Sequence, residues 1–236
     1  FLAANQLGKR LGLEEHEKFF IQVLKAWHFA ILDQKTKSIK QINTLTEETD
    51  LYSNVSPIQI NIQKLYLFAY LKNYEEISIL IEEIRKNTTN IPTKYILTIS
   101  QILYFLDKKD SAIAILNDFL PREYDIDAAI SYLDKKNVIS PNQALSIALS
   151  DTGSILAKKR GWFFALPFLR MSLYLNDNNF NSKLLLSSIL QSLKRFDEAL
   201  DLFENTSEIG IFFPIVALEK SYLYEDLGNH KKVQET

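Results

Sequence analysis

Apolar side chains return every three or four positions along most of this chain, the spacing of amphipathic helices. In Leu184-Leu185-Leu186-Ser187-Ser188-Ile189-Leu190, followed by Leu193, that spacing predicts one helix. A second is predicted from Asp197 to about Asn205, with Asp197 and Glu198 in its first turn, where acidic groups meet the positive end of the helix dipole. Ala199, Leu202 and Phe203 form its inward face, Lys194-Arg195 is the turn between the two, and Phe196 plugs the corner. The same grammar places a turn at Lys72-Asn73 before a helix over Glu75 to Lys86, and another at Lys108 to Asp110 before Ala112, Ile115, Leu116 and Phe119. Pro57, Pro92, Pro141 and Pro214 each precede the first helix of a pair, where a missing N–H costs nothing. Pro167 falls inside a helical pattern, near enough to its start to be accepted with a modest kink.

These pairs repeat. Ala165, Ala199 and Val233 are spaced by 34, as are Gly153, Ser187 and Ser221. Two combs of large residues share the interval: Leu156, Leu190 and Tyr224, then Trp162, Phe196 and His230. Small and large residues recurring in register predict stacked helical hairpins, an all-α solenoid. Ile77 and Ala112, with Ser100 in the small slot, extend the comb at an interval of 35. From Ala112 to Ala165 the interval is 53, so an extra stretch is expected there, holding one short helix from Ile126 to Lys135. The organisation expected is N-terminal hairpins over 1–120, an irregular connecting helix over 121–140, and C-terminal repeats over 141–236, in one continuous solenoid. At the start, 3–9 is expected to pair with a helix from Glu14 onward. The pattern from Phe19 to Ile31 has no loop signal, which means either one long helix or an inter-repeat loop omitted near Phe20.

Composition narrows the classes. Only 6 Gly and 6 Pro in 236 residues suit long regular segments, and 47% hydrophobic residues suffice for a core. A net charge of −2, with scattered lysines, supplies no basic field for nucleic acid. The apolar run Ile209 to Leu218 falls short of the ~20 residues that span a bilayer, and it contains Gly210 and Pro214. No membrane insertion is expected, and the run reads as core. With 0 Cys, disulfides, thiolate nucleophiles and cysteine-based zinc sites are excluded. The chain opens on Phe1 rather than Met, so an upstream segment is expected to precede it.

Candidate chemistry is sparse. Asp151-Thr152-Gly153-Ser154 spells the aspartic-protease tetrad, but that chemistry needs two carboxylates sharing a proton. This chain has one copy, within a helical pattern, and its glycine already belongs to the small-residue comb. His16-Glu17 lacks the second histidine of a zinc pair, and His28 and His230 are the other histidines. No phosphate-binding glycine loop or nucleophile elbow is present. Asn54, Asn87 and Asn205 begin formal glycosylation sequons in an asparagine-rich chain. No catalytic residue, cofactor or metal site is assigned.

With Ser187, Phe196, Ala199 and Phe203 in one unit, and Gly153, Trp162, Ala165 and Ser172 in the unit before it, the chain resembles the tetratricopeptide repeat (TPR) family. The stretch from Arg160 to Thr206 is similar to the C-terminal part of multi-repeat TPR proteins of alphaproteobacteria. Asp177 replaces the usual inter-repeat proline, and His230 and Val233 depart from the pattern. The resemblance implies a right-handed superhelical solenoid of antiparallel helix pairs. It implies that the first helix of each pair lines a concave groove holding a protein or peptide segment. The groove positions are then Tyr66, Tyr70, Gln101, Tyr104, Ser150, Ser154, Ser188, Gln191, Tyr222 and Glu225. The family's carboxylate clamp has no counterpart, since Ile62, Tyr66, Leu97 and Thr98 occupy its sites. The function implied is a non-catalytic protein–protein interaction scaffold. The alternative is an accessory or repeat segment of a larger enzyme or assembly whose catalytic part lies elsewhere. The bacterial periplasm or the cytoplasm is the expected compartment, the former because similar proteins often carry export signals.

Overall fold

The computed structural model describes residues 15–47, 55–87, 91–134, 139–159, 161–204 and 210–235. The helix expected over 3–9 lies outside the described residues, and all three sequons lie wholly or partly outside them. Every regular element among the described residues is helical. The first two hairpins are α1 (Glu15–Ile31) with α2 (Lys35–Glu47) and α3 (Pro57–Tyr70) with α4 (Tyr74–Asn87). The third is α5 (Thr93–Phe105) with α6 (Lys109–Phe119), after which α7 (Ile126–Asp134) stands alone. The long helix α8 (Pro141–Lys159) pairs with α9 (Trp162–Leu175), and α10 (Phe180–Ser192) with α11 (Phe196–Asp201). A 3-10 turn over Gly210–Phe212 leads into α12 (Phe213–Asp226) and α13 (His230–Glu235). Helix α1 runs unbroken through Phe20. Helix α11 is shorter than its apolar pattern suggested, with Leu202 and Phe203 in the turn beyond it.

Five of the hairpins share one corner. A leucine (Leu32, Leu71, Leu106, Leu193 or Leu227) ends the first helix, and the next residue is left-handed. Asp33, Lys72, Asp107, Lys194 and Gly228 have φ between 54° and 69°. At α3, Lys72 N–H donates to Ala69 O at 3.2 Å and Asn73 N–H to Phe68 O at 2.8 Å. This closes the last carbonyls of the helix in a Schellman motif. Equivalent bonds recur at Asp33 and Gln34, Asp107 and Lys108, Lys194 and Arg195, and Gly228 and Asn229. The carbonyl after each left-handed residue then receives the first bond of the second helix, as in Ile77 N–H to Asn73 O at 3.2 Å. The α8–α9 corner differs, turning through Gly161 at φ 91°.

Small residues stand where neighbouring helices press closest. Ala112, Ala165 and Ala199 are fully buried. A Cβ on Gly153 would lie 3.0 Å from Leu169 Cδ2, so α8 and α9 touch at the comb position. Ser38 Oγ and Ser100 Oγ occupy such slots and donate to Ala26 O at 2.8 Å and Ala112 O at 3.3 Å, satisfying buried hydroxyls across a helix pair.

Consecutive helices pack pairwise, but contacts are not confined to neighbours. Helix α8 lies against its partner α9 and also against α1 and α3. Its sequence explains this. Ala144, Ser146, Ala148, Leu149, Ser150, Asp151, Thr152, Gly153 and Leu156 are all buried, so the helix is covered around its circumference, as a central helix must be. Small side chains on every side let three sets of neighbours approach it. Gln63 Nε2 of α3 donates to Ala144 O of α8 at 3.2 Å, joining positions 81 residues apart.

Candidate functional site

Helices α3, α5, α8 and α10 each turn one face toward a common cavity of about 280 Å³, closed at one side by α7 and the 3-10 turn. Its apolar wall is Phe180 stacked on Phe212, with centroids 4.1 Å apart, and Tyr132 set edge-on to Phe212 at 5.5 Å. Its polar lining comes from Lys94, Thr98, Gln101 and Gln143 and from the asparagines of the α9–α10 turn, Asn176, Asn178, Asn179 and Asn181.

Beside this cavity, and sharing Lys94, Thr98, Ile147, Asn179 and Asn181 with it, is a recess of about 20 Å³ reaching Asp151. Lys94 Nζ lies 2.6 Å from Asp151 Oδ1, and Tyr95 Oη donates to the same oxygen at 2.8 Å. Asp151 is 1% exposed, and its Oδ2 has no hydrogen-bond partner. Burial pushes the Tyr95 hydroxyl well above the ordinary tyrosine range, and the neighbouring carboxylate adds to the effect by opposing a second negative charge. Tyr66 is raised likewise, first by burial and then by Tyr132. Tyr132 is raised by burial, against a hydrogen bond with Gln101.

The α9–α10 turn is fastened from below. Ser146 of α8, Ser172 of α9 and Ser182 of α10 are fully buried and meet through their hydroxyls, with Ser172 Oγ 2.9 Å from Ser146 Oγ and 2.7 Å from Ser182 Oγ. Asn179 Nδ2 donates to Ser146 Oγ at 2.9 Å and Ser172 Oγ at 3.1 Å, while its Oδ1 caps α10 by accepting from Ser182 N–H. A fully satisfied buried network of this kind is rigid, so the neighbouring asparagines are held at the cavity mouth.

The groove positions read from the sequence separate into three groups. Tyr66 and Gln101 line the cavity and Ser150 the small recess. Tyr66 is buried rather than presented to a partner, because α7, the helix outside the 34-residue spacing, brings Tyr132 against it. Tyr70 packs edge-on to Trp27, centroids 5.4 Å apart, and Tyr104 lies under Lys109, whose Nζ is 5.0 Å from the ring. Ser154 is half-buried on α8. Ser188, Gln191, Tyr222 and Glu225 lie on α10 and α12 away from the cavity. Ser188 Oγ bonds Leu184 O, Gln191 Nε2 donates to Asp226 Oδ2 at 2.6 Å, and Tyr222 and Glu225 are exposed. Sequence reasoning missed Lys94, Tyr95, Asp151, Tyr132 and the 176–181 asparagines as neighbours. The run Asn176-Asp177-Asn178-Asn179 between two helices was the visible signal, and the off-period helix was a second.

Among the described residues, no group of histidine, aspartate and glutamate is arranged to hold a metal ion, and no helix is long and apolar enough to cross a membrane. The fold is thus an all-α array of consecutively packed helical hairpins around a polar cavity. Compared with known proteins, the chain matches no family model, no curated protein and no solved structure.

Proposed function

We propose that this chain is a non-catalytic protein–protein interaction scaffold of the tetratricopeptide-repeat kind, its hairpins winding as a right-handed superhelix around an inner binding face. The observation that carries the reading is the recurrence of one helix–corner–helix unit five times, since stacked repeats of this kind build extended inner surfaces for partner segments. First helices α3, α5, α8 and α10 line one cavity, which supports a common inner face. The N-terminal part of that face is covered by α7, so the partner segment lies along the C-terminal part, beside Ser188, Gln191, Tyr222 and Glu225. Tyr222, 50% exposed, is its aromatic anchor.

A photo-crosslinking residue at Glu225 tests this, with one at the exposed corner residue Lys194 as the control. The expected result is a discrete protein adduct from position 225 that Tyr222→Ala abolishes. Equal adducts from both positions would overturn it.

One observation favours the second reading, a segment of a larger enzyme or assembly. Helix α9 leaves Phe163, Phe164, Met171 and Tyr174 exposed along one side, Tyr174 at 90%. A contiguous apolar ridge of this kind is what another part of an assembly covers. Phe163→Ser with Tyr174→Ser would then dissolve the assembly while leaving the position-225 adduct in place.

A further inference from the structure

Beyond any protein partner, we propose that the cavity between α3, α5, α8 and α10 is a binding site for a neutral polyhydroxylated molecule, a saccharide of one or two rings. Three observations lead there. The first is charge. Among the described residues, Lys94 is the only ionic side chain lining the cavity, and Asp151 in the adjoining recess neutralises it at 2.6 Å. A phosphate, a carboxylate or a free ammonium ion would enter without an uncommitted counter-charge, and desolvating it there is costly.

The second is the match of donors and acceptors. Asn179 is committed to the serine network and Gln101 to Tyr132, which leaves Gln143, Asn178 and Asn181 to face a solute. An amide offers both a donor and an acceptor, and so does a hydroxyl, so amides set around one space suit a ligand carrying several hydroxyls. The stacked pair Phe180 and Phe212 adds an apolar surface to the same lining for the C–H groups of a ring. The volume, about 280 Å³, sits at the low end for ligand pockets, roughly 300–1,000 Å³, as a small sugar requires.

The third is Asp151 Oδ2, a buried acceptor with no partner. The recess beside it, about 20 Å³, has room for one water-sized group. One ligand hydroxyl entering from the cavity donates to Oδ2 and completes the carboxylate, while Lys94 and Tyr95 hold Oδ1. This accounts for a polar, asparagine-framed cavity at a place where a simple stack of hairpins would put apolar packing.

The test is saturation-transfer NMR and calorimetry on the whole chain with a panel of neutral mono- and disaccharides. Free amino acids and nucleoside monophosphates form the charged arms. Methyl glycosides, which have no free reducing end, separate a free sugar from one carried on a larger molecule. The expected result is binding of at least one saccharide on the order of 1 mM or tighter. Asn181→Leu and Gln143→Leu should each weaken it about tenfold, the cost of an unpaired hydroxyl, with the unfolding midpoint unchanged. Absence of saccharide binding on the order of 10 mM overturns the proposal. So does preferential binding of the charged arms, or saccharide binding indifferent to both variants.

Discussion

Lys94 and Asp151 stand 57 residues apart in the chain, yet Lys94 Nζ lies 2.6 Å from Asp151 Oδ1. The lysine side chain is 26% exposed and the aspartate 1%, so the carboxylate depends on the lysine and on Tyr95 for its partners. Removing one member of a buried pair strands the other. Lys94→Met is therefore expected to cost about 2–4 kcal/mol, read from urea denaturation at neutral pH. Adding Asp151→Asn to Lys94→Met should recover most of that loss, because the uncompensated carboxylate is gone. Simple additivity of the two changes would show that the pair does not act as a unit.

Burial raises the pKa of both Tyr95 and Tyr66, which predicts an alkaline limit to the stability of the fold. Their folded pKa values lie above the unfolded value near 10, so the unfolded chain loses these protons first. Stability is then fully present below about pH 10 and falls as the pH rises from there toward the folded values. Tyr95→Phe should lower stability at pH 7 by about 1 kcal/mol through the lost bond to Asp151, and should flatten the decline above pH 10. An alkaline limb as steep as in the parent would exclude Tyr95 as its source.

Gly153 tests the comb. Alanine has the better helix propensity by about 1 kcal/mol, but its Cβ would sit 3.0 Å from Leu169 Cδ2 and 3.1 Å from Leu169 Cγ, and Leu169 is fully buried. Gly153→Ala should thus lower the melting temperature, and pairing it with Leu169→Val should restore part of the loss. Ala199→Leu, overfilling a fully buried slot, should cost roughly 1–3 kcal/mol by the same measurement.

The corners predict a stabilising change. Lys194 adopts φ 59°, a conformation that costs an ordinary side chain about 1 kcal/mol and glycine little. Gly228 already fills the equivalent position in the last hairpin. Lys194→Gly should raise the unfolding midpoint slightly, while Lys194→Val should lower it. Both are read by thermal denaturation followed by circular dichroism.

Tyr66 and Tyr222 should behave oppositely. Tyr66 is 5% exposed beneath α7, so Tyr66→Ala removes core and should cost about 3 kcal/mol or more, contrary to the expectation that the inner tyrosines are all exposed anchors. Tyr222 is 50% exposed, and Tyr222→Ala should leave the melting temperature within about a degree of the parent while weakening partner capture.

What the chain determined locally was legible in it. Apolar spacing set the helices, and the recurring small residues Ala112, Ala165 and Ala199 marked where they touch, because helix pairing within and between adjacent hairpins depends on residues a few turns apart. Even the shared corner was written as a leucine followed by a polar residue or glycine, although its left-handed geometry is announced by composition only at Gly228. Burial of Asp151 was foreshadowed by its place among small residues, but its partners Lys94 and Tyr95 were not. Only the tertiary structure decided that α8 would return to α1 and α3, that α7 would carry Tyr132 over Tyr66, and that α3, α5, α8 and α10 would enclose a cavity framed by asparagines. A period encodes contacts between successive units. Contacts such as Gln63 to Ala144, 81 residues apart, depend on the accumulated rotation of every hairpin between them, and no single stretch of residues specifies that sum.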